Sequence, residues 1–303
     1  MNSERAAAAG LVFGCVLFGL GSIIVAHVNV GAYAIAFWRL LVASGIFLLL
    51  RRRLGQPFPQ HRRAIAFALG SGAMLAFDLA FWHESIYAVG PGIATLLNSL
   101  QIFFLAAIGY LCFHERQTPL QLASLLLAIV GVSGIAWPEF GHNARAPWGF
   151  FFGIASGLML AASMTCIRKA HEYERIALFP LMIVIGIGGM MALLLPALLF
   201  DAGRLYPATW QDWGWIVVYG AVMQCCAWGL IAWCVPRLSL TLTGLLLLSE
   251  PVAALFIDFF FLHKPITAPQ WGGATLTMLA IYLGSLKPGR RTPRLSADPM
   301  NKP

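Results

Sequence analysis

Arg39, Asp78 and Glu250 are ionisable side chains set within apolar runs long enough to cross a bilayer. Each costs about 2.5–3.5 kcal/mol to insert in hydrocarbon, so each calls for a partner or a task. Asp78 follows Phe77, and Trp82 comes four residues later, one helical turn along the same face. A carboxylate beside an indole ring suits an ammonium group, which the ring face also attracts. The competing role for Asp78 is a structural salt bridge to Arg39. Asn98 and Gln101 are three apart and share a helix face; uncharged amides bind a carboxylate or an ammonium equally well. Glu250 directly precedes Pro251, whose missing N–H frees a carbonyl one turn back. It could bind an ammonium, carry a proton, or sit protonated in a packing niche. Gln224 with Trp228 makes a similar polar and aromatic pair, and Ser163 offers a hydroxyl, although a core role suits it better. Asp258 falls closer to a span end and reads as interfacial.

Other chemistries lack their residues. The dipeptides His83-Glu84, His114-Glu115 and His171-Glu172 fall at predicted span ends, form no HExxH, and read as solvated interface charges, not zinc ligands. No phosphate-binding loop is present, so the chain by itself is no ATP-driven pump. The six cysteines lie in apolar segments with no CxxC spacing and read as small packing residues. No cofactor and no metal is implied.

These residues sit in a chain that is 59% apolar and 11% charged, with mean hydropathy +0.78. Globular chains carry about 25% charged residues, so lipid must be the solvent for most of this one. Runs of about 20 apolar residues appear ten times: 7–26, 32–50, 64–83, 91–113, 118–137, 147–168, 176–200, 211–233, 239–262 and 268–286. The connections are too short for a soluble domain, and the Pro- and Arg-rich tail 287–303 reads as disordered. The first run, lacking a small-residue cleavage site, reads as a span. Trp210, Trp213 and Trp215 read as an aromatic belt.

With the N-terminus inside and the spans alternating, sixteen of the 20 basic residues fall inside. Only Arg145, Arg204 and Lys264 fall outside, and Arg39 falls within a span. Net charge +8 therefore reflects the positive-inside rule, not a nucleic-acid partner. Both termini are then cytoplasmic.

The chain also repeats itself. His114, Thr118 and Gln121 recur in step as His263, Thr267 and Gln270, each set joining two apolar helices. Gly10 and Gly14 match Gly149 and Gly153, a small-residue face for close packing. Five spans per copy is odd, so the second copy lies inverted, an architecture that puts a substrate site between the repeats near mid-membrane. The expected fold is thus an all-α membrane protein of ten helices in two inverted five-helix repeats. Their bounds are 1–137 and 147–286, with an extracytoplasmic linker at 138–146.

The Phe37-Trp38-Arg39 start of span two, the Glu115-Arg116-x-Thr118-x-x-Gln121 turn and Glu250-Pro251 resemble the drug/metabolite transporter superfamily, in its ten-span EamA form. Phe77-Asp78 and Asn98 are similar to the YddG-type amino acid exporters. Gln101 and Ile102 replace an aromatic residue and a proline of that pattern, which implies a range wider than aromatic amino acids. The resemblance implies a secondary exporter of amino acids or similar zwitterions, located in a cell membrane, bacterial inner membrane by type. Its central cavity would be lined by Phe77, Asp78, Trp82, Asn98, Gln101, Ser163, Gln224, Trp228 and Glu250, with Arg39 and Pro251 structural or gating. Its partners would be the small-molecule substrate and the lipid bilayer, with no nucleic acid and no obligatory protein. A multidrug or nucleotide-sugar carrier on the same scaffold is the rival within that class; a membrane-embedded enzyme or a gated channel is the rival outside it.

Overall fold

A computed structural model describes residues 2–21, 24–25, 28–115, 117–136, 144–260 and 267–285, and its regular elements are all helices, with no strand among the described residues. Five helical stretches are long and apolar enough to cross a bilayer: Ala32–Leu54 (α2), Arg62–Val89 (α3), Ala146–Tyr173 (α7), Leu178–Phe200 (α8) and the stretch Trp210–Arg237. Shorter apolar helices lie in the other five apolar runs: Asn2–Gly19 (α1), Pro91–Asn98 (α4) with Gln101–Phe113 (α5), Pro119–Ala136 (α6), Leu240–Leu247 (α11) with Ser249–Phe260 (α12), and Ala268–Ser285 (α13). Arg116, His263, Lys264, residues 138–143 and the tail from 287 lie outside the described residues.

Local chemistry explains most ends. The repeated Thr-x-x-Gln is a helix start. Thr118 Oγ1 accepts from the Gln121 N–H at 3.1 Å, and Gln121 Oε1 accepts from the Thr118 N–H at 2.9 Å, a reciprocal capping box. Thr209 and Asp212 make the same exchange at the start of Trp210–Val218 (α9). Gly55, at φ 63°, ends α2 in the left-handed conformation that glycine adopts at no steric cost. Arg51, Arg52 and Arg53 fill that last turn, opposite in sign to the helix dipole there.

Three helix starts take a carboxylate from elsewhere in the chain; the first two have no local cap, while at the third Ser239 Oγ also accepts from the Leu242 N–H at 3.2 Å. Ala34 N donates to Asp201 Oδ2 at 2.8 Å at the start of α2. Gln60 N and His61 N donate to Glu174 at 2.9 and 2.8 Å, ahead of α3. Leu240 N donates to Glu115 Oε1 at 3.2 Å at the head of α11, where Arg168 also pairs with Glu115. A carboxylate there satisfies orphan N–H groups and meets the positive end of the dipole. Each contact ties residues before 137 to residues after 147.

Small residues set the packing. Gly149, Gly153 and Gly157 of α7 face α3 and α4 so closely that an added methyl would overlap Val89, Leu97 and the Asn98 carbonyl in turn. Gly14 of α1 meets Ile231 and the Ala227 carbonyl in the same manner. The matched glycines of the sequence therefore do bring helices into close contact.

Two helices are interrupted. At Leu100 (φ −63°, ψ −10°) and again at Leu248 (φ −64°, ψ −9°) the backbone steps out of regular helix between α4 and α5 and between α11 and α12. Leu100 N donates to Leu97 O and Leu248 N to Leu245 O, the same tightened turn twice. These breaks are 148 residues apart, whereas the turn residues recur at 149, so by the breaks the counterpart of Gln101 is Ser249 instead of Glu250. A third irregularity is a π-helical segment, Tyr219–Trp228, between α9 and Gly229–Cys234 (α10). Pi turns are rare and concentrate at functional sites.

Candidate functional site

The interruptions converge on one buried polar cluster. Asp78 of α3 is 3% exposed, and its Oδ1 accepts from Asn98 Nδ2 at 2.8 Å and from Ser156 Oγ at 3.0 Å. Asn98 Nδ2 also donates to Ser156 Oγ. Since Asn98 is the last residue of α4 before the break and Gly157 of α7 abuts that break, the step in the chain aims the amide at the carboxylate.

Arg39, fully buried, does not pair with Asp78. Its Nε donates to Gln224 Oε1 at 2.8 Å and its Nη1 to Tyr219 Oη at 2.7 Å, while the guanidinium carbon lies 4.8 Å from the Phe18 ring centre and 4.5 Å from that of Tyr219. The direct salt bridge between Arg39 and Asp78 is thus replaced by neutral partners and two ring faces. Arg39 remains in electrostatic reach of both Asp78 and Glu250. Tyr219 and Gln224 are five residues apart, which in an α-helix would put them on different faces. The i→i+5 pattern of the π segment brings both to one guanidinium.

Tyr219 Oη continues to His83 Nε2 at 3.0 Å, and His83 Nδ1 lies 2.9 Å from the Ala32 carbonyl. A carbonyl only accepts, so the hydrogen is on Nδ1, and in the neutral ring Nε2 accepts from the tyrosine hydroxyl. The expectation of a solvated interface histidine is corrected here: His83 is 0% exposed because both ring nitrogens have protein partners. His171 is half-buried, with Nδ1 on the Ile167 carbonyl.

Aromatic residues close the cluster. Phe18 stands 6.1 Å from Trp82 and 6.3 Å from Trp228, ring centre to ring centre. Gln101, Trp228 and Glu250 are each at most 6% exposed, and Glu250 occupies the first turn of α12, directly after the second break. Pro251 follows it there, where its missing N–H is least costly. Three buried polar atoms in this region have no hydrogen-bond partner among the described residues: Arg39 Nη2, Trp228 Nε1 and Gln101 Oε1.

Two expected lining residues have partners of their own. Phe77 packs with Phe81, which continues to Phe152. Ser163 Oγ pairs with Ser71 Oγ at 3.0 Å, two helical turns from Ser156. Phe18, Ser156, Tyr219 and His83 join the cluster without a sequence signal that assigns them to it. Of the tryptophans expected to form a belt, Trp210 is 90% exposed while Trp213 packs on Trp38 at 5.0 Å. The side chain of Asp258 is outside the described residues.

Asp201 closes the end of the molecule where α2 begins. Burial pushes its carboxyl above the ordinary range, opposed by the N–H groups of Ala34 and Tyr33 and by Arg204. Replacing it with alanine should leave those donors bare. A lost cap costs about 0.5–2 kcal/mol, so a drop of a few degrees in the unfolding midpoint is expected for Asp201→Ala in detergent. An unchanged midpoint would show the contact to be idle.

The profile of the EamA-like transporter family matches residues 6–137 and again 147–286. The chain belongs to that family. A probable amino-acid metabolite efflux pump of Salmonella typhimurium is 26% identical over 245 residues, covering 75% of this chain and 79% of its own length. An uncharacterized transporter of Archaeoglobus fulgidus is 24% identical over 279 residues, covering 91% and 94%. A crystal structure with 14% identity superposes with a TM-score of 0.70 over 94% of this chain and 97% of that one, a likeness of fold alone. This EamA-family chain is accordingly a multi-pass membrane transporter, not an enzyme.

Proposed function

We propose that this EamA-family protein is a secondary transporter in the bacterial inner membrane that exports amino acids or related small metabolites. In this reading ten spans form two inverted five-helix repeats, 1–137 and 147–286, joined by an extracytoplasmic linker at 138–146. Both termini and the basic tail 287–303 are cytoplasmic. Substrate occupies the centre, among Asp78, Trp82, Asn98, Gln101, Gln224, Trp228 and Glu250, with Arg39 as organiser and Pro251 at the second break. Phe77 and Ser163 belong to a wider rim of the path.

The observation that carries this reading is the set of unpartnered atoms in a sealed centre. Buried polar groups without partners are uncommon and ask for an explanation. Arg39 Nη2 and Trp228 Nε1 are donors suited to a carboxylate, Gln101 Oε1 is an acceptor suited to an ammonium, and Asp78 and Glu250 supply negative charge. That inventory complements a zwitterion. Helix breaks beside it, in corresponding positions of the two halves, are how many carriers build a midplane site.

Alternating access needs ties that can open at each end. Asp201 on α2 is one; Glu115 with Arg168 and the head of α11 is the other. The basic clusters Arg51–Arg53 and Arg168–Lys169 lie at the Glu115 end, which supports a cytoplasmic placement for it.

The deciding experiment is uptake of a labelled amino acid panel into liposomes holding only this protein, with and without a pH gradient. Saturable uptake that falls at least tenfold in Asp78→Asn is the expected result. No uptake of any amino acid would defeat the substrate assignment, and uptake that never saturates would point to a channel.

A further inference from the structure

Away from the central cluster, a cavity of about 710 Å³ opens where α2 and α7 end and α8 begins. Its polar lining is cationic or neutral: His171, Arg175, Arg237 and Gln56. Among the described residues no Asp or Glu lines it. The acids nearest in sequence are engaged elsewhere, Glu174 on the Gln60 and His61 N–H groups and Glu172 on Lys169.

The basic groups are poised instead of neutralised. The Arg237 guanidinium lies 3.9 Å over the Trp233 ring and is pinned by a bond from Nη1 to the Trp233 carbonyl, which leaves its other N–H groups for a ligand. Arg175 is exposed and forms no ion pair or hydrogen bond among the described residues. His171 uses only Nδ1, on the Ile167 carbonyl, so Nε2 is open. Gln56 spends its oxygen on the Phe179 N–H and keeps its amide hydrogens.

Behind this basic mouth the wall is apolar. Leu54, Leu181, Ala232 and Trp233 line it, and Leu54 is 64% exposed. An arginine pair at span ends with a greasy wall behind it matches a phosphate joined to an acyl chain better than a free anion. Basic pockets between membrane helices hold anionic headgroups by this combination. We propose that the cavity is a binding site for one anionic phospholipid, its phosphate held by Arg175 and Arg237 and its chains along Leu54, Leu181 and Trp233. The proposal goes beyond the transport reading and would stand whatever the substrate.

Trp233 supplies the readout. The protein is placed in phosphatidylcholine vesicles doped with phosphatidylglycerol or with more phosphatidylcholine, the dopant brominated on its chains. Trp233 emission is taken as the difference between the parent chain and Trp233→Phe. Brominated phosphatidylglycerol should quench that emission several-fold more than brominated phosphatidylcholine. In Arg175→Gln/Arg237→Gln the two should quench alike, whereas Arg52→Gln/Arg53→Gln, with the same charge removed elsewhere, should behave as the parent. Equal quenching by both lipids in the parent would overturn the proposal, as would a preference that survives the double substitution. Loss of the preference on adding millimolar inorganic phosphate, but not chloride at matched ionic strength, would assign the site to a soluble anion and overturn the lipid. Both arginines are exposed, so the variants are expected to fold; the comparison of lipids in the parent chain stands without them.

Discussion

Arg39→Lys should yield a folded protein whose amino acid uptake is at least tenfold lower, while Arg39→Met should yield little folded protein. The guanidinium makes two divergent hydrogen bonds, to Gln224 and Tyr219, while its carbon lies 4.8 Å from the ring centre of Phe18 and 4.5 Å from that of Tyr219. Lysine keeps the charge but presents a point ammonium on a flexible stem, and it cannot reproduce the fork and the stack together. One lost hydrogen bond to a charged group is worth about 1.5–3 kcal/mol. That is enough to release Gln224 and swing Tyr219 from His83, and tenfold in rate needs only about 1.4 kcal/mol. Methionine removes the positive charge altogether, leaving Asp78 and Glu250 as buried carboxylates without a nearby cation. Breaking a buried charge arrangement in this way costs about 3–5 kcal/mol.

A second substitution separates charge from shape. If charge balance is the reason, Arg39→Met/Glu250→Gln should recover monodisperse protein on size exclusion relative to Arg39→Met alone. If the double variant is no more abundant, packing of the guanidinium against its two rings is what matters, and the electrostatic account fails.

How far the site could be read in the sequence depends on whether helical spacing held. Asp78 with Trp82 rests on α-helical register that α3 keeps, whereas the expected shared face of Asn98 and Gln101 is divided by the break at Leu100; all four side chains are buried. The Thr-x-x-Gln turn is visible as a repeated motif of capping-box type, and at Thr118 and Gln121 the box is formed. The pairing of Arg39 with Tyr219 and Gln224 was hidden because it depends on a π segment, and no residue type announces an i→i+5 helix. Ser156 was unreadable for a different reason: serine is common in membrane helices, and only the glycine-lined approach of α7 to α4 brings it to Asp78. His83 looked interfacial because it lies near a span end. The fold buries it by laying the start of α2 and the π segment over it. The glycine match between the first helices of the two halves was readable, and it anticipated the contacts of Gly14 and Gly153. The trans-capping carboxylates were not, since they pair residues from distant parts of the chain.

Gly157→Ala should leave a folded protein that transports poorly, and Gly72→Ala should leave a protein that unfolds early. Both put one methyl group into a helix contact, and what that methyl meets separates the outcomes. At Gly72 of α3 a Cβ would lie 1.9 Å from the Ile185 carbonyl oxygen and 2.9 Å from the Gly189 nitrogen, both backbone atoms of α8. Two long helices must part along their contact, and overpacking of this kind costs about 1–3 kcal/mol or more. The unfolding midpoint should fall by several degrees, with uptake per folded molecule little changed. At Gly157 of α7 the Cβ would lie 2.8 Å from the Asn98 carbonyl and 3.1 Å from the Gln101 nitrogen, the two sides of the first helix break. That break is already irregular and can shift by a few tenths of an ångström more cheaply than a regular helix. The shift, however, moves Asn98 off Asp78 and redirects Gln101, and misplacement of about 1 Å in a polar site can cost a hundredfold in rate. Uptake by Gly157→Ala should therefore fall at least tenfold while its midpoint drops less than that of Gly72→Ala. Liposome flux and thermal unfolding on the same two preparations test the pair. If Gly157→Ala loses stability but keeps its flux, the break is only a packing feature and the centre lies elsewhere.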